Sequence, residues 1–231
     1  MRFSNIYTQI FESKGVQIPP EVIDRVDNLS SAIAKIINQK KRLRPIHYLE
    51  TISKLSFKNP YTGTQINIDI VIEYDEEKKN RLYTAFYSKN KRKIQFNAAR
   101  GELYGEVDPS RIRGILMHEI THAIDPKVEK GLLNKKRYMD DTKVVTDTDE
   151  EFDAYYATIE SGLEVMARIL GPRTMIKKIH DWLRTPNPML EKELFRRSRN
   201  ALNSWKQVPK YMQRLRSRLL SFTDKLETMS D

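Results

Sequence analysis

The chain has 231 residues, 41 Lys+Arg against 31 Asp+Glu, a net charge of +10 and no cysteine. That length fits one ordinary domain, or one with an appendage. The lack of cysteine excludes disulfides and thiolate ligands, so a metal site here must be built from His, Asp and Glu.

The start, Met1-Arg2-Phe3-Ser4-Asn5-Ile6-Tyr7-Thr8-Gln9, is too polar for a signal peptide. No apolar run is long enough to cross a bilayer. The expected setting is the cytoplasm, or delivery from it without a signal peptide, with no membrane partner. Pro19-Pro20-Glu21 then opens a helical pattern in Val22, Ile23, Val26, Leu29, Ile33, Ile36 and Ile37, which runs out at Lys40-Lys41-Arg42. Strand-like segments follow at Ile66–Tyr74, Arg81–Tyr87 and Arg92–Asn97, with a further short one at Glu102–Val107. Polar turns separate them, as in a meander.

The next segment carries chemistry. Asp108 suits an N-cap and Pro109 a first helical position. Ile112, Leu116, Ile120, Ala123 and Ile124 recur at helical spacing and form a buried stripe. Gly114, His118, His122 and Asp125 share another face, and Pro126 biases the chain to leave the helix. Within this helix stands His118-Glu119-Ile120-Thr121-His122, an H-E-x-x-H motif. Residues i and i+4 lie on one face, so both imidazoles reach one metal ion, and Glu119 follows His118 where it meets a water beside that metal. The chain has four His, and two of them occupy this motif. Zn²⁺ is the expected cofactor.

A catalytic zinc needs a third protein ligand. No H-x-x-G-x-x-H extension follows, and His47 and His180 lack a supporting motif. Between Pro126 and Thr148 runs a long polar connection with Lys127, Lys130, Lys135, Lys136 and Arg137, either a cover for the cleft or a solvated loop. The acidic run Asp147–Asp153 opens a second helix, where acids also compensate the helix dipole. Glu151 shares its face with Ala154, Tyr155, Thr158 and Gly162, small residues that favour close helix approach. Glu150, which faces Asp153 and Ala157, is the runner-up.

From Glu150 onward every segment reads helical, with breaks at Gly171-Pro172, Thr185–Pro188 and Pro209. From Gly171 to Asp231 stand fourteen Lys+Arg against six Asp+Glu, a net of +8, which leaves +2 for the first 170 residues. Arg196, Arg197, Arg199, Arg214, Arg216 and Arg218 concentrate the excess. They are expected to form an exposed positive surface with weak affinity for polyanions, and the alternative function is a basic nucleic-acid- or partner-binding protein. Trp182, Phe195 and Trp205 fall at helical spacing with leucines and read as core.

His118-Glu119-x-x-His122 followed by Glu151-x-x-Ala154 resembles the gluzincin metallopeptidases. His118–Asp125 and Glu151-Phe152-x-Ala154 are similar to the catalytic domains of anthrax lethal factor and its toxin relatives, and the Glu-x-x-Ala element to the ImmA/IrrE regulatory peptidases. The resemblance covers about Ile112 to Ala167. It implies zinc ligands His118, His122 and Glu151, a general base in Glu119, and a Tyr or His that steadies the oxyanion. Candidates for that last role are Tyr138, Tyr155, Tyr156 and His180, of which Tyr155 is set beside Glu119 as a catalytic residue.

The expected fold class is α+β: a small, largely antiparallel sheet, an H-E-x-x-H helix and a helical C-terminal body, zincin-like in plan. Residues 1–170 form the catalytic domain with its N-terminal helix, and residues 171–231 a basic helical extension. The expected activity is zinc-dependent hydrolysis of peptide bonds in a protein or peptide substrate.

Overall fold

A computed structural model describes residues 16, 18–43, 47–75, 84–99, 106–125, 149–196 and 198–228. Among them are a four-stranded mixed sheet and seven helices, so the fold is α+β with a helical body. The chain divides into two compact units, one within Ile18–Val145 and one within Thr146–Asp231. The division falls ahead of the acidic helix, whereas composition placed a boundary at 170/171. Residues 102–105 of the expected strand at Glu102–Val107, the 126–148 connection, Tyr138 and Arg197 lie outside the described residues, and Glu106 and Val107 are not in a strand.

In the first unit, helix α1 (Pro20–Leu43) precedes strands β1 (His47–Lys58), β2 (Gln65–Asp75), β3 (Ala85–Ser88) and β4 (Lys93–Asn97), and helix α2 (Pro109–Ile124) follows them. The strand order is β1-β2-β4-β3. β1 with β2 and β3 with β4 are antiparallel, but β2 and β4 are parallel. The sheet is therefore mixed and no meander: the chain visits the edge at β3 before returning to fill the place beside β2. The apolar run explains where β4 sits. Ile94 and Phe96 are fully buried and lie level with Ile70 and Ile72 of β2, so this pair forms the sheet's interior.

Strand β1 is absent from the sequence reading because it lacks an apolar period. It is mostly exposed, with Leu55 and Phe57 its buried residues, and a bulge interrupts it between Thr51 and Ser53. The β1–β2 turn is closed by Asn59, whose side-chain oxygen accepts from the Tyr61 N–H at 2.9 Å. Gly63 supplies a φ of +71° there, which L side chains rarely adopt.

The expected stripe of α2 is buried, and that of α1 is buried in part, with Ile23, Leu29 and Ile36 half-buried. Val22, Val26, Ile33 and Ile37 of α1 are fully inside, as are Ile112, Leu116, Ile120 and Ile124 of α2. Each such side chain contributes roughly 2 kcal/mol through the water it leaves. The two helices pack on each other, α1 also on β1 and α2 also on β3.

The second unit contains α3 (Asp149–Leu170), α4 (Pro172–Arg184), α5 (Pro188–Leu194), α6 (Arg199–Trp205) and α7 (Pro209–Thr228). Its core holds Phe152, Leu163, Ile179, Trp182, Phe195 and Trp205, all at most 1% exposed, which agrees with the reading of the aromatics as core. The expected breaks between helices are present. One more, between α5 and α6, carries no Gly or Pro to announce it.

This packing corrects the expected basic surface. Asp153 of α3 accepts from Arg214 at 3.2 Å and from Arg218 at 2.5 Å. The same guanidiniums lie over the rings of Phe152 and Tyr156, at 4.4 and 4.9 Å. Their side chains are only 23% and 11% exposed, so both belong to the helical core and not to a free positive face. Arg196, Arg199 and Arg216 are exposed as expected.

Candidate metal centre

The motif helix is held at both ends. Asp108 caps its start, accepting from the Ser110 N–H at 2.7 Å, with Pro109 in the first turn. Just ahead of it, Asn38 of α1 clasps Val107: its amide nitrogen donates to the Val107 carbonyl at 3.1 Å and its oxygen accepts from the Val107 N–H at 2.8 Å. At the far end the Asn59 amide donates to the Ile124 carbonyl at 3.0 Å. The β1–β2 turn thereby satisfies one of the helix's terminal carbonyls. Midway, Arg113, 4% exposed, donates to Asp27 of α1 at 2.5 Å.

This framework presents His118 and His122 on one face, both half-buried. Their Nε2 atoms are 3.3 Å apart and their rings meet edge to face at 4.9 Å. Two nitrogens held about 2.05 Å from a tetrahedral ion stand about 3.3–3.4 Å apart, so the pair already spans one edge of such a site. His118, His122 and Glu151 form a group that could hold a metal ion. Glu151 itself is buried.

Glu119 is buried, at 7% exposure, and accepts from the Tyr87 N–H at 2.7 Å through Oε2. Burial raises its pKa from 4.5 to about 7, with the Tyr87 N–H pulling the other way. Burial lowers His122 from 6.5 to about 4, which keeps its imidazole neutral, the form that ligates a metal.

Tyr87 belongs to β3, an edge strand among the described residues. The Asn97 N–H donates to the Thr84 carbonyl, so alternate residues Ala85 and Tyr87 direct their backbone groups away from β4. The Tyr87 amide thus reaches Glu119 from the open side of the strand. No sequence pattern announces this contact, because a backbone donor carries no residue signature.

The remaining candidates are placed as follows. Tyr155 is half-buried, its ring set edge-on to Trp205 at 6.4 Å, and it packs against the helical core. The Tyr156 hydroxyl donates to the Arg218 carbonyl at 2.9 Å. His180 is exposed on α4, and exposed His47 stands at the start of β1, 3.9 Å from Asp75. Asp125 is buried at the end of α2. The side chain of Glu150 lies outside the described residues. Among the described residues, a Cβ added at Gly162 would meet nothing within 4 Å.

No protein-family model matches this chain, and neither a curated protein nor a solved structure matches it.

Proposed function

We propose that the chain is a zinc-dependent metalloendopeptidase. The observation that carries this reading is the 3.3 Å separation of the His118 and His122 Nε2 atoms, with a buried carboxylate, Glu119, next in sequence to the first. Glu151 supplies the third ligand in this reading, and the donor set of two imidazoles and one carboxylate suits a catalytic zinc. The resemblance to gluzincins supports the same assignment. A zinc ion held there supplies a Lewis acid for a carbonyl and acidifies a water molecule.

The chain's own residues do the rest. Glu119, raised to about 7, sits near the pKa that best suits a general base at neutral pH. It accepts the proton of the attacking water and delivers it to the leaving amine. A substrate in extended form adds along the open side of β3, where Ala85 turns its backbone groups away from β4. Tyr155 stands as the oxyanion partner by the resemblance alone.

Elemental analysis of the purified chain tests this directly. One zinc per chain is expected in the wild type and none in His118→Ala. Mapping of peptide termini after incubation with a proteome then reads the activity. Equal metal content in the two proteins would remove the basis of the reading.

A further inference from the structure

Within the helical unit, five of the described acidic side chains hold cations. Besides Asp153 with its two arginines, Glu160 and Glu164 hold Lys225, Glu191 holds Lys206 and Glu193 holds Lys178. The cations left over gather most regularly on α4. Met175, Ile179 and Trp182 turn this helix's apolar side into the core. At about 100° per residue, Arg173, Lys177, His180 and Arg184 fall within an arc of about 60° on the opposite side. All four are exposed, and none has an ion pair or hydrogen bond among the described residues. The stripe is about 16 Å long at 1.5 Å per residue. Asp181, at its margin, is the one acid on the helix.

A second observation concerns apolar exposure. Among the described residues, the large exposed hydrophobics include Ile169 at 75%, Leu170 at 41% and Met189 at 84%. The first two immediately precede α4 and the third lies just beyond its end, so exposed apolar side chains bracket the cationic stripe in the chain. A nucleic acid would neutralise the stripe and leave Ile169 and Met189 in water. An anionic bilayer surface satisfies both sets: headgroups meet the cations, and the boundary with the acyl chains takes the flanking apolar groups.

We propose that α4 docks this chain on an anionic lipid surface through Arg173, Lys177 and Arg184, with Ile169, Leu170 and Met189 entering the headgroup boundary. The contact is peripheral, since no described helix is long and apolar enough to cross a membrane. Each cation adds about fivefold to partitioning, so the docking is weak and salt-dependent. The proposal is independent of the metal centre.

Flotation of the full chain with phosphatidylcholine vesicles, with and without phosphatidylserine, tests it. The wild type should float with the anionic vesicles alone and be released by salt. Arg173→Gln/Lys177→Gln/Arg184→Gln should lower partitioning by about a hundredfold, from three such factors. Ile169→Ser/Met189→Ser should also lower it while leaving retention on a heparin column unchanged. All these positions are exposed, and circular dichroism checks that the variants fold. Failure of the wild type to float with anionic vesicles would overturn the proposal. So would equal flotation with both vesicle types, or wild-type partitioning by the triple variant. Unchanged flotation of Ile169→Ser/Met189→Ser would show that the apolar residues do not enter the headgroup boundary and overturn it as well.

Discussion

The guanidinium of Arg113 is tied to Asp27 at 2.5 Å, and the two side chains differ sharply in exposure, 5% for the arginine and 34% for the acid. Arg113 belongs to the motif helix and Asp27 to α1, so the pair fixes one helix against the other, five residues before the first ligand candidate. Asp27→Ala leaves a buried cation without its partner. It should destabilise the chain by about 2–3 kcal/mol, below the full range for buried pairs because Asp27 is partly exposed. Urea unfolding measures this. Asp27→Leu with Arg113→Met should recover most of the loss, and no recovery would place the cost elsewhere.

Metal content and hydrolysis should separate at adjacent residues. His118→Ala is expected to lose zinc and activity together. Glu119→Gln should keep zinc and lose hydrolysis by at least about a hundredfold, because an amide cannot take the proton. Full activity in Glu119→Gln on a verified substrate would exclude it as the base.

The third ligand can be assigned by comparing neighbours. Glu151→Ala should weaken zinc binding by more than about a hundredfold, beyond what loss of an outer-shell partner costs. Glu150→Ala should leave it close to wild type. Titration with a chromogenic chelator reads both, and the reverse order would transfer the role to Glu150.

Two groups at the centre give opposite pH dependence in metal-free protein. Glu119 keeps its proton up to about 7 when folded, against 4.5 ordinarily. Between these values the folded chain binds more protons, so this contribution is full below 4.5 and is lost as pH rises towards 7. His122 titrates at about 4 when folded, against 6.5 ordinarily. Its contribution is full above 6.5 and is lost as pH falls towards 4. Between 4.5 and 6.5 the two slopes oppose each other. Glu119→Gln removes the falling one, so its stability relative to wild type should climb across that interval in EDTA. A relative decline would contradict the burial of Glu119.

Removing Asp153 should unsettle the helical unit. Arg214 and Arg218 then face each other, mostly enclosed, with no shared anion. Asp153→Ala should cost about 3 kcal/mol by thermal or urea unfolding, in the range for one broken partner of a buried ion pair. A change within experimental error would mean that solvent already screens the group.

The motif was legible because five consecutive residues carry it and one helix displays it. Its framework was less so. Asn38, Asn59 and Asp27 act on the motif helix from residues 65 to 86 positions away, and nothing in their local sequence names that target. The apolar alternation announced β2 and β4, but not that they run parallel, since periodicity is blind to strand direction. β1 escaped because an exposed strand has little apolar pattern to show. Counting charges placed Arg214 and Arg218 on a surface, because a tally does not reveal an acid 61 or 65 residues earlier that binds them.

The Tyr87 amide has a use beyond holding Glu119. Outward-facing amides of an edge strand ordinarily exchange their hydrogen for deuterium within the fastest class of a protein. This one is capped by a carboxylate, so it should persist among slow neighbours, and its resonance should move as that carboxylate gains a proton or a cation arrives beside it. A single backbone signal then reports the state of the centre without a substrate.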